Sequence, residues 1–115
     1  MNLNHARASH AAIVLGDFLY VVGGQNDSRE FVRSIERFEV TSPSDWTVVV
    51  DGVESLGRKL PGICAISKQE IAVFGGTSSK NFYCNDGAIF NTETKSVMPI
   101  LGEETDRGFI TYTQT

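Results

Sequence analysis

Apolar residues along this chain come in short runs bounded by turn-forming residues. Residues 10–15 and 18–23 are two such runs, rich in β-branched and aromatic side chains and separated by Gly16-Asp17, a hairpin-turn pair. The stretch Ser34-Ile35-Glu36-Arg37-Phe38-Glu39-Val40 alternates apolar and charged residues with period two, the pattern of a half-buried strand. A turn cluster, Thr41-Ser42-Pro43-Ser44-Asp45, precedes a fourth run at residues 46–50. The same reading gives strands at 62–67, 70–75, 87–91 and 95–100, and no stretch offers a helical period. The expected class is all-β.

These strands fall into an internal repeat. Leu19-Tyr20-Val21-Val22-Gly23-Gly24 recurs as Ile71-Ala72-Val73-Phe74-Gly75-Gly76, an offset of 52 residues. Applied upstream, the offset puts Ala11-Ala12-Ile13-Val14 on Ile63-Cys64-Ala65-Ile66 and Arg7 on Lys59, beside Arg58. Downstream it puts Phe38 on Phe90 and Trp46 on Met98. A third copy opens at Arg107-Gly108-Phe109-Ile110. The units are then about 7–50, 59–100 and 107–115, and four antiparallel strands every ~50 residues is the layout of a propeller blade. Glycine ending the second strand allows positive φ and close backbone approach. Phe38 and Trp46 are expected to be largely buried.

At these residues the sequence resembles the kelch repeat, whose signature is a strand ending in a glycine pair, then an aromatic, then a tryptophan: Gly23-Gly24, Phe38 and Trp46 here. The second copy keeps Gly75-Gly76 and Phe90 but has Met98 for the tryptophan and Ala88 for Glu36. The resemblance implies two four-stranded antiparallel blades of a kelch-type β-propeller plus the start of a third, in an incomplete ring. Propellers close with ~4 to 8 blades, so missing blades or self-association are needed to complete the fold. Residues 1–7 loosely fit the junction between kelch blades, which points to a longer chain. The outer blade faces are expected to leave apolar residues such as Ile13 and Val21 in water.

Composition narrows function mainly by exclusion. The 115 residues are 41% hydrophobic and carry a formal charge of −4 with scattered basic residues, which argues against a nucleic-acid or anionic-membrane surface. No apolar run approaches the ~20 residues of a membrane span, and the first ten residues lack the apolar core of a secretory signal. A cytoplasmic location is expected. Two cysteines cannot form a disulfide framework; Cys64 reads as a core residue and Cys84 as an exposed one. His5 and His10 stand apart from any Cys, Asp or Glu cluster, so no metal is expected, and His10 reads as a histidine packed at a strand end. No phosphate loop, dinucleotide fingerprint or serine elbow is present. Neither a cofactor nor a catalytic residue is expected.

Function in such an architecture lies in the loops. In kelch propellers that hold peptides, the resemblance places binding side chains after the glycine pair and at the start of the innermost strand. Here those are Gln25, Asn26, Thr77 and Ser78, with Ser9, His10 and Pro61 at the strand starts. These are neutral hydrogen-bonding groups, which disfavours an acidic peptide. Phe82 and Tyr83, in the longer second loop, add aromatic types favoured at binding hot spots. The expected function is a non-catalytic protein-interaction module, a scaffold or substrate-recognition subunit with a protein or peptide partner. The alternative is a fragment of a kelch-like propeller enzyme, an oxidase or sugar isomerase, with its catalytic residues outside this chain.

Overall fold

The computed structural model describes residues 3–42, 45–79, 83–104 and 110–114. Four strands form the first sheet: β1 (Ala11–Leu15), β2 (Phe18–Val22), β3 (Ile35–Glu39) and β4 (Thr47–Val50), each antiparallel to the next. A linker with a 3-10 turn at Glu54–Leu56 leads to β5 (Arg58–Lys59), which pairs with β8 (Thr77–Ser78). The second sheet holds β6 (Gly62–Ala65), β7 (Glu70–Phe74), β9 (Gly87–Asn91) and β10 (Val97–Glu104) in the same order. All eight expected strands are therefore present, within a few residues of their expected ends. The expected third copy falls differently. Arg107 to Phe109 lie outside the described residues, and β11 (Ile110–Gln114) hydrogen-bonds to β10 as a fifth strand of the second sheet. The edge of β10 offers backbone groups for pairing, and β11 satisfies them there.

Strand register locates the repeat more accurately than sequence identity does. Ala11 pairs with Val22 and Gly62 with Phe74, so the second strands are offset by 52 residues but the first strands by 51. The difference lies in the hairpin: two residues, Gly16-Asp17, turn the first, whereas Ser67-Lys68-Gln69 turn the second beneath the Ile66 N–H to Glu70 carbonyl bond of 3.0 Å. The counterpart of Arg7 is thus Arg58, not Lys59, and that of Ile13 is Cys64. Likewise Met98 lies opposite Ile89 as Thr47 lies opposite Arg37, so Met98 does not take the place of Trp46. A one-residue slip in a strand turns every side chain to the other face. Cys64 is accordingly exposed, and Cys84, held by its N–H to the Gly76 carbonyl at 2.8 Å, is buried, the reverse of the expectation.

The core lies between the two sheets. Tyr20, Val22 and Ile35 from the first meet Ile71, Val73, Ala88 and Phe90 from the second, and Leu56 of the linker fills in beside them. Tyr20 and Phe90 meet edge to face with ring centroids 6.1 Å apart. Ile13 and Leu15 of β1 and Ile63 of β6 pack against the same cluster. Ile13 is therefore inside, not on an outer face, and Val21, opposite Glu36 in register, is also buried.

Phe38 and Trp46 depart from expectation too: both are only half-buried, stacked on each other with centroids 5.3 Å apart. Their position explains this. Phe90, the counterpart of Phe38, is fully buried because its face meets the first sheet; the same face of the first sheet points away from the second. Burial at this position is conferred by the preceding sheet. Replacing Phe90 with Ala should cost about 3–5 kcal/mol, whereas Trp46→Ala should cost under about 2 kcal/mol. Urea midpoints of the two variants, compared at equal m-value, check the order.

Candidate functional site

The two glycine pairs end β2 and β7 in equivalent positions, all four residues at positive φ. Space as well as conformation demands glycine here: a Cβ on Gly23 would lie 2.5 Å from the Arg58 carbonyl oxygen, and one on Gly76 2.5 Å from that of Lys59. The segment preceding each first strand runs across the pair. The Gly24 N–H donates to the Arg58 carbonyl at 2.8 Å, and the Leu60 N–H to the Ser9 carbonyl at 2.7 Å. Ser9 and Leu60 are repeat counterparts, both left-handed, at φ 59° and 53°.

An arginine in each copy fixes this crossing. Arg7 Nη1 donates to the Gly23 and Ser34 carbonyls, both at 3.1 Å, and Arg58 Nη1 to the corresponding Gly75 and Asp86 carbonyls, both at 3.0 Å. The first copy adds a buried ion pair, Arg7 Nη2 to Glu36 Oε2 at 2.7 Å. Glu36 also accepts the N–H groups of Asn4 (2.6 Å) and His5 (3.1 Å), which pins residues 4–7 to the sheet. Burial alone would raise the Glu36 pKa, but the two amides and the guanidinium outweigh it and hold the carboxyl below its ordinary value of 4.5. In the second copy Ala88 replaces Glu36, and the linker adapts. The Leu56 N–H bonds to the Val53 carbonyl within the 3-10 turn, and the Leu56 side chain packs in the cluster that contains Ala88. The charge partner of Arg58 moves to the half-exposed carboxylate of Asp86, 3.2 Å away.

The loops that follow the glycine pairs frame a cleft of about 270 Å³ at one end of the inter-sheet seam, with Arg33 on one side and Ser78, Ser79 and Asp86 on the other. Arg33 also borders two adjoining clefts, one of them shared with Arg29, Phe31 and Ser79. Of the residues singled out in sequence, Ser78 lines this cleft and Thr77 adjoins it through β8. Tyr83 is 80% exposed on the same loop, and Phe82 lies outside the described residues. Ser9 and His10 are exposed at the start of β1, away from the cleft. Partial burial and the nearby Arg7 charge hold the His10 imidazole below its ordinary value.

Gln25 and Asn26 are engaged in shaping their own loop. Gln25 Nε2 donates to the Arg29 carbonyl at 3.0 Å, and Asn26 Oδ1 accepts the N–H groups of Ser28 (2.9 Å) and Glu30 (3.0 Å), an Asx-type turn. What the sequence reading missed is Arg29 and Arg33. Neither guanidinium has a hydrogen bond or ion pair among the described residues, and both face the clefts. Their signal was a charged pair within the loop after Gly23-Gly24. Among the described residues no group of three or more His, Cys, Asp or Glu side chains is placed to hold a metal ion, and no helix is long and apolar enough to cross a membrane.

Residues 6–43 match the family model described as the Kelch motif. This span contains Arg7, the Gly23-Gly24 pair, Glu36 and Phe38. A comparison with curated proteins gave no match.

Because Glu36 has a depressed carboxyl pKa in the folded state, its contribution to stability is full above the ordinary carboxylate range and is lost as the pH falls through the folded value. Glu36→Gln should therefore flatten the decline in stability below about pH 4. Arg7→Ala should cost about 3–5 kcal/mol at neutral pH, since it leaves a buried carboxylate without its cation. Urea unfolding across pH checks both outcomes.

Proposed function

We propose that this kelch-repeat chain is a protein-interaction module that binds a peptide or protein segment across the loop end of its inter-sheet seam. The observation that carries the reading is the cleft between the two post-glycine loops, where Arg33 stands without a partner among the described residues opposite Ser78 and Ser79. The strands commit their side chains to packing, whereas these loops hold polar and charged groups on a rigid frame. Arg33 and Arg29 can take a carboxylate or a backbone carbonyl of the partner segment, while Asp86 on the same rim is balanced by Arg58. Tyr83 supplies a rigid ring with a polar tip beside this rim, a side chain type common at binding hot spots.

The Gln25 and Asn26 side chains support this surface from beneath by holding the Arg29 and Glu30 backbone, while Thr77, Ser78 and Tyr83 form its second wall. Ser9 and His10, exposed at the start of β1, stand apart from this surface and are not needed for it. The expected setting is the cytoplasm, with the chain as the recognition part of a scaffold or substrate-recognition assembly.

Replacing Arg33 or Tyr83 with Ala should lower recovery of specific partners about tenfold or more in quantitative affinity capture, at unchanged circular dichroism. An Asn26→Ala variant should weaken recovery less, through loosening of the Arg29 loop. Recovery equal to the parent chain for both Arg33→Ala and Tyr83→Ala, with the fold intact, would remove this face from the function.

A further inference from the structure

Two guanidiniums and an exposed hydroxyl meet where the loops after the glycine pairs approach each other. A cleft of about 540 Å³ is bordered by Arg29, Glu30, Phe31 and Arg33 from the first loop and by Ser79 from the second. Arg33 and Ser79 border the smaller cleft as well. Ser79 directly follows β8, whose Ser78 is paired with Arg58, and it makes no hydrogen bond among the described residues.

The first loop is built around Arg29, which is held at φ 63°, a left-handed conformation that strains a residue with a side chain. Its N–H donates to the Asn26 carbonyl and its own carbonyl accepts Gln25 Nε2, both at 3.0 Å. The N–H groups on either side of it, of Ser28 and Glu30, both go to Asn26 Oδ1. This scaffold presents a guanidinium that has no partner among the described residues, and strain maintained in this way points to a use. Arg33 is fixed as well. Its carbonyl accepts the Val53 N–H at 3.1 Å, and its stem lies against Gly57, where a Cβ would come within 3.0 Å of Arg33 Cγ. The acids nearby do not cancel the pair. Glu30 accepts Asn26 Nδ2 at 3.2 Å, and Asp86, which borders the smaller cleft with Glu54, pairs with Arg58 at 3.2 Å. Two cations against one hydrogen-bonded carboxylate leave the larger cleft positive, with a serine hydroxyl on its opposite wall.

We propose that Ser79 is a phosphorylation site whose phosphoryl group is taken by Arg29 and Arg33, tying the two loops together and closing the cleft to a partner segment. Ser79 Oγ attacks the γ-phosphorus of a nucleoside triphosphate held by a protein kinase. The bond from that phosphorus to the β–γ bridging oxygen breaks, the nucleoside diphosphate leaves with the electron pair, and the hydroxyl proton passes to the kinase's base. The product is a phosphomonoester with a charge of about −1.5 to −2 at neutral pH, and its oxygens match the donor forks of two guanidiniums. The closing effect rests on the interaction reading above, because the phosphoryl group occupies the arginines that a partner's carboxylate or carbonyl would take.

The test uses the chain with phosphoserine incorporated at position 79, followed by phosphorus NMR across pH. Two cations favour the dianion, so the second ionisation should fall about half a unit or more below its ordinary value of about 6. Arg29→Gly, which suits the left-handed backbone, and Arg33→Gln should each move it back toward that value with unchanged circular dichroism. Phosphoserine at 79 should also lower partner recovery about tenfold or more relative to the unmodified chain. Incubating the folded chain with a nucleoside triphosphate and a kinase-containing cell extract should place phosphate on Ser79, located by peptide mass mapping. An ordinary second ionisation, or one that neither arginine variant moves, overturns the latch. Recovery unchanged by phosphoserine overturns the closing effect, and no phosphate at Ser79 in the mapped chain overturns the site. The NMR arm needs no partner, so loss of the interaction reading through Arg33→Ala would leave its outcome separate.

Discussion

Arg58 holds the two sheets together from both ends of one residue. Its carbonyl oxygen accepts the Gly24 N–H at the end of β2, and its guanidinium donates to the Gly75 and Asp86 carbonyls at the end of β7 and the start of β9. Backbone and side chain of one residue thus satisfy buried polar groups of two sheets at once, groups that would be costly to leave unpaired. The glycine pair follows from this crossing, since a Cβ at Gly23 would meet the Arg58 carbonyl. So does the loop face, because the cleft between Arg33 and Ser78 is bounded by the segment that Arg58 anchors.

The two copies use the same crossing with different chemistry around it. In the first, a charged clamp of Arg7 and Glu36 grips the incoming segment through its amides. In the second, Ala88 leaves room, and Leu56 of the linker joins the core while its amide is satisfied inside a 3-10 turn. Loss of the acid is thus a change of means. Buried ion pairs contribute little net stability when an apolar group can fill the same volume, and the Leu56 arrangement joins the linker to the inter-sheet core at the point where the sheets meet.

The strands and the glycine pairs were legible in sequence because period-two runs and turn residues are local signals. Two features were not. The repeat offset changes from 52 to 51 across the second hairpin, since Ser67-Lys68-Gln69 turns where Gly16-Asp17 turns in the first. A constant offset therefore matched Arg7 to Lys59, whereas the cysteines were misjudged from the polarity of their sequence neighbours. Burial itself was the second: Phe38 and Phe90 occupy one repeat position, yet only Phe90 is enclosed, because the enclosing surface belongs to the preceding sheet. At the loop face, Ser78, which lines the cleft, follows Gly75-Gly76 in sequence, and the exposed Tyr83 stood out as an aromatic of the longer loop. Arg33 was missed, because a charged residue next to a strand reads as ordinary solvated charge until the fold sets it across from the other loop.

Equilibrium unfolding of Arg58→Ala in urea, followed by both tryptophan fluorescence and far-ultraviolet circular dichroism, tests most directly that one residue couples the sheets. Trp46 is the only tryptophan and reports on the first sheet, which keeps its own Arg7 clamp, whereas circular dichroism reports on both. In the parent chain the two signals should change together as one cooperative transition. In Arg58→Ala they should separate, with the circular dichroism showing an earlier phase as the second sheet is lost while Trp46 holds. Coincident transitions at the parent midpoint would contradict the coupling role of Arg58.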